Sequence, residues 1–100
     1  MPNQALLFVT ASPNPAEPEA MQEYLQRVMP LFLAAGGTLL GRGAVQETVA
    51  GTADYKMAMV MAFENIATAK SALDSEDYRN LIPIRDRGFA KIDITLAQSL

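Results

Sequence analysis

Residues 57–63 read Met-Ala-Met-Val-Met-Ala-Phe, and no other stretch limits the possible folds as much. A period of two puts Met57, Met59, Met61 and Phe63 on one side of a strand and Ala58, Val60 and Ala62 on the other. A strand with one solvated face alternates apolar with polar residues; this one is apolar on both sides. The N-terminal apolar run behaves likewise, with Leu6 and Phe8 set against Leu7 and Val9. A sheet built from these strands needs cover on two faces.

The rest of the chain supplies helices for one face. Gln4–Thr10 reads as a strand and Ala11–Pro15 as a loop. Asn14-Pro15-Ala16-Glu17 resembles a capping box, with Pro18 moving the helix start towards Glu17. The helix runs to about Ala35, with Met21, Tyr24, Leu25, Val28, Met29, Phe32 and Ala35 on one face. Pro30 predicts a kink or an early end, because it cannot donate to the carbonyl of Gln26. Gly36-Gly37 offers a C-cap. Thr38 to about Val49 reads as a second strand, in which Gly41 and Gly43 suggest a bulge or the close approach of another backbone. Ala50–Asp54 is the turn, and Tyr55–Phe63 the third strand.

Asn65 caps a helix from Ile66 to about Leu73. Ser75-Glu-Asp-Tyr78 starts another that heads for Arg87, interrupted by Pro83 and ended by Gly88. Phe89–Leu96 is the last strand, followed by a short tail expected to be mobile. The order β-α-β-β-α-β defines an α+β, ferredoxin-like sandwich occupying residues 1–100 as a single domain. Its helices fall on one face of an antiparallel sheet. Leaving about 600 Å² of apolar sheet in water forgoes about 15 kcal/mol at ~25 cal/mol per Å², comparable to the whole stability of a domain. A second copy packed on the open face is the simplest cover, so a homodimer is expected.

Composition closes off several chemistries. The sequence has no cysteine and no histidine. Disulfides, zinc–thiolate sites, thiol catalysis and the commonest general base are therefore absent. Only oxygen sites for hard ions remain, and no EF-hand spacing occurs, so no metal and no cofactor is expected. A net charge of −3 disfavours nucleic acid. So do central strands of methionine and alanine where RNA-binding sheets carry exposed aromatics. The apolar run Ala5–Val9 is too short for a leader or a membrane span, so no membrane is expected and a cytoplasmic location is.

Gly36-Gly37-Thr-Leu-Leu-Gly-Arg42-Gly43 resembles the GG-x-x-x-x-RG segment of the DUF1330 family, a group of small bacterial proteins of unknown function. The resemblance continues in order through Gly51, Ala62-Phe63-Glu64-Asn65, Ala69, Ser75-Glu-Asp-Tyr78 and Arg85, roughly Leu7 to Ile94. The tyrosine-rich start of the family's first helix is replaced by Pro-Glu-Ala-Met, with Tyr24 the nearest aromatic. Membership implies the dimeric α/β-barrel superfamily, whose members include cofactor-independent monooxygenases, haem-degrading and chlorite-dismutase-like enzymes and muconolactone-type isomerases. Without histidine, a histidine-ligated haem is excluded here.

Five residues are candidates for chemistry. Arg42 sits between two glycines in an apolar strand, where a guanidinium can grip a carboxylate or an enolate oxygen. The alternative is a surface pair with Glu47. Tyr24 and Tyr78 lie on inner helix faces and offer phenols as donors or acids, or simply pack. Arg85 follows Tyr78 by seven residues on roughly the same face; it either binds ligand or pairs with Asp86 or Glu76. Glu64 ends the third strand, where a buried carboxylate can serve as base and an exposed one merely favours the next helix. Two functions stay open. One is a cofactor-independent isomerase or monooxygenase-like enzyme acting on a small apolar acid. The other is a non-catalytic, stress-related or small-molecule-binding dimer.

Overall fold

The computed structural model describes residues 4–100. Strand β1 (Ala5–Pro13) leads to helix α1 (Pro18–Ala34), then to strands β2 (Thr38–Ala44) and β3 (Met57–Phe63). Helices α2 (Ile66–Asp74), α3 (Glu76–Arg79) and α4 (Ile82–Gly88) follow, and strand β4 (Phe89–Gln98) closes the chain. All pairings are antiparallel, in the order β2-β3-β1-β4. The first and third strands are therefore central, as their two-sided apolar pattern demands.

Helix boundaries follow local chemistry. Asn65 accepts from the Thr68 amide at 2.8 Å and Ser75 from the Tyr78 amide at 3.2 Å, each a side-chain N-cap. Helix α1 ends in a Schellman turn. Gly36 takes φ +92° and donates to the Leu33 carbonyl, while Gly37 donates to that of Phe32. Asn14 does not cap α1. Its side chain accepts from the Ala16 amide instead, and the helix begins at Pro18, where the missing N–H costs nothing. Pro30 neither ends nor splits α1, which runs to Ala34. Phe32, beyond the proline, is held edge-on to Phe63 and stacked on Tyr78, and this packing outweighs one lost hydrogen bond. The stretch from Ser75 towards Arg87 is interrupted as expected, into α3 and α4, with Pro83 in the first turn of α4.

The core lies between helices and sheet. Leu7, Met61 and Phe63 from the sheet meet Tyr24, Val28 and Phe32 of α1, Ala69 and Ala72 of α2, Tyr78, and Leu81 ahead of α4. Ladder partners share a face. Leu6, Phe8, Ala58 and Val60 therefore face away from the helices, and Phe8 is 41% exposed there. The second strand stops at Ala44, short of the expected Val49, and residues 45–54 form an exposed loop with Gly51 at φ +93°. The final strand extends to Gln98, and the Ser99 amide donates to the Gln4 carbonyl at 2.8 Å, so the C-terminal residues pair where a loose tail is expected. No helix among the described residues is long and apolar enough to cross a membrane.

Candidate functional site

A cavity of about 610 Å³ opens between α1 and the sheet. Met21, Tyr24, Leu25, Val28, Met29 and Phe32 form its helix wall, and Val9, Met57, Met59, Phe89 and Ile92 its floor. Among the described residues, those with long polar side chains that line it are Tyr24 on the helix wall and Arg42 and Lys56 at the exposed rim. No aspartate or glutamate lines it.

Arg42 owes its direction to a bulge. Leu39 pairs with Met61 and Gly41 with Val60, so Leu40 is an extra residue on β2. In an unbroken strand Leu39 and Arg42, three apart, face opposite ways. With Leu40 inserted, Arg42 pairs with Met59 and shares the helix side with it. Gly41 and Gly43 turn to the open face, where an added Cβ at either position meets nothing within 4 Å. Arg42 makes no ion pair with Glu47.

At the helix wall Tyr24 meets a second phenol, that of Tyr78. The hydroxyls of Tyr24 and Tyr78 lie 2.9 Å apart, and the Arg85 guanidinium donates to the Tyr78 oxygen at 3.1 Å. Arg85 also bonds Asp86 at 3.1 Å, so it holds a surface carboxylate and a buried phenol together. Burial pushes the Tyr24 phenol well above the ordinary tyrosine range, and the adjacent Tyr78 adds to the effect. Tyr24 therefore stays protonated. Burial alone draws the Arg85 guanidinium down, but its bonds to Tyr78 and Asp86 outweigh this and raise it.

The candidates thus divide. Tyr24 and Arg42 line one cavity; Tyr78 and Arg85 stand behind Tyr24, outside the lining. Glu64 is exposed at the far end of β3 and contributes nothing to the cavity, which removes it as a base there. Its strand ends at Phe63 and the chain turns into α2, leaving the carboxylate in solvent. Asp54, read as a turn residue, and Tyr55, read as the start of the third strand, bond to Lys91 and Asp93 of β4, respectively. Lys56 is the rim residue that sequence periodicity misses. Its parity matches Ala58 on the open face, but the ladder ends at Met57 and parity no longer governs it. Among the described residues, no group of three or more carboxylates is placed to hold a metal ion.

Solved structures with this architecture exist. A protein of unknown function from Rhodopseudomonas palustris superposes with a TM-score of 0.82 at 14% identity, covering 100% of this chain and 85% of its own. A dimeric ferredoxin-like protein of unknown function from Jannaschia sp. CCS1 gives 0.76 at 11% identity, covering 97% and 100%. A Nitrosomonas europaea protein provisionally named an antibiotic biosynthesis monooxygenase gives 0.68 at 14% identity, covering 100% and 93%. These likenesses establish the ferredoxin-like fold. No curated protein matches the sequence. The model of one family, the domain of unknown function DUF1330, matches residues 7–100, and the chain belongs to that family.

Proposed function

We propose that the cavity receives a small, largely apolar acid and that the protein acts on it as a cofactor-independent isomerase or monooxygenase-like enzyme. The observation that carries this reading is the bulge that turns Arg42 towards an apolar cavity free of carboxylates, with Tyr24 on the facing wall. Arg42 holds the carboxylate of the ligand at the rim. Arg85 donates to Tyr78, which leaves the Tyr78 hydroxyl free to donate to Tyr24 and the Tyr24 proton free for a carbonyl or enolate oxygen. Tyr78 and Arg85 position that donor without touching ligand.

A second reading, binding without turnover, draws support from the lack of any carboxylate base in the lining. Phenylpyruvate in deuterated water separates the two. Catalysed exchange at its C3 methylene, next to the ketone, with R42Q raising KM and Y24F lowering kcat, is expected of the enzyme. Saturable binding with no exchange above the buffer rate supports the binding module. No saturable binding at all removes both.

We also propose that a second copy of the chain covers the open sheet face. Leu6, Phe8, Ala58 and Val60 give that face its apolar character, and several proteins of this fold, including those from Thermobifida fusca and Jannaschia, are dimeric.

A further inference from the structure

The cations of this acidic protein are not evenly engaged. Of its eight lysines and arginines, Arg27, Arg85, Arg87 and Lys91 each pair with a carboxylate. Arg79 donates to the backbone carbonyl of Asp74. Among the described residues, Arg42, Lys56 and Lys70 have no carboxylate within ion-pair reach. Two of these three stand on the rim of one cavity, in a molecule whose net charge is −3.

Their placement is complementary. Arg42 pairs with Met59 on the ladder, and Lys56 precedes Met57 at the point where the Val45 amide donates to the Lys56 carbonyl at 2.9 Å. Three residues of strand separate the two along β3, about 10 Å at ~3.3 Å per residue. Both residues have long side chains and line the same opening. A guanidinium grips one planar anionic group in bidentate fashion, while an ammonium acts as a point charge for a second. With no acid in the lining to neutralise them, the rim is a local positive field above an apolar chamber.

From this we infer that Arg42 and Lys56 together form a two-cation subsite that selects ligands with an apolar body and a dianionic head, such as a dicarboxylate or a phosphate monoester. This rests on the reading of the cavity as an acid-binding site and narrows it from one negative charge to two.

Calorimetric titration of the full chain with decanol, decanoate, decylmalonate and decyl phosphate tests it. At least one dianion is expected to bind about tenfold more tightly than decanoate, with a steeper loss of affinity as salt rises. K56Q, at an exposed position, is expected to erase that advantage by weakening the dianions far more than decanoate, while R42Q weakens all three anions. Preference for decylmalonate over decyl phosphate assigns the head to dicarboxylates, and the reverse to phosphate monoesters. Decanoate binding as tightly as both dianions, or a dianion advantage that K56Q leaves intact, overturns the two-cation subsite but keeps the acid site. Decanol matching decanoate, with R42Q silent, overturns the acid site and the subsite with it, as does absence of binding by all four.

Discussion

The Tyr24 and Tyr78 hydroxyls come from positions 54 residues apart and meet in the interior, and their two partners make them unequal. Removing the Tyr24 hydroxyl leaves Tyr78 still bonded to Arg85. Removing that of Tyr78 strands the buried Tyr24 oxygen. Urea unfolding is therefore expected to show Y78F losing about 1–3 kcal/mol and Y24F nearer 1 kcal/mol. The double variant should lose less than the sum, because the orphaned group is gone.

The raised Tyr24 phenol also fixes a pH dependence. Its folded-state pKa lies above the unfolded value of about 10, so its contribution is complete below pH 10. Above that the unfolded chain releases its proton first, and stability falls as pH rises. Urea midpoints measured from pH 8 to 11.5 should decline at the alkaline end, and less steeply in Y24F. Periodicity alone brings both tyrosines to inner helix faces, and that much was legible. The aim of Arg42 depended on one extra residue in β2, and Lys56 on where the ladder stops. Gly41 and Gly43 signal the bulge locally, but neither the side to which it turns Arg42 nor the end of the ladder at Met57 has a local signature. Glu64 shows the converse: a carboxylate at a strand end invites a catalytic reading, but the turn into α2 leaves it in solvent.

At the level of elements, caps and glycines carried most of the information. The Asn65 and Ser75 caps and the Gly36-Gly37 turn are short-range chemistry and sit where the sequence puts them. Pro30 was misleading because its cost is local and its compensation is not. P30A is expected to raise stability by about 1–3 kcal/mol, since an N–H becomes available to the Gln26 carbonyl and the ring clash disappears; thermal and urea melts check this. Gly88 closes α4 against α1 for a reason the sequence hides. A Cβ there comes within 2.6 Å of the Met21 nitrogen and 2.8 Å of its Cα, and backbone cannot swing aside. G88A should cost about 1–3 kcal/mol by forcing the two helices apart. Because Met21 lines the cavity, the same variant should also alter affinity for any ligand bound there.

The whole molecule is a slab, 39 × 35 × 16 Å between its outermost Cα atoms, with helices on one broad side and apolar strands on the other. Sedimentation at micromolar concentration is expected to report a dimer, and F8E, which places a charge in the middle of the open face, a monomer of unchanged circular dichroism. A wild-type monomer would sink the proposed cover. The two-sided strands made the apolar open face the most legible feature of the fold at large scale. What they left hidden is how thin the wall is between the two sides. Val9, Arg42, Gly43, Ala58 and Met59 line both the cavity and a hollow of about 350 Å³ on the open face. Ligand and second copy would thus press on opposite surfaces of one layer of chain. Whatever free energy couples them must act in both directions; with one site on each copy, saturating ligand should shift the dimer constant by the square of the factor by which dilution through the dimer dissociation range shifts ligand affinity per site.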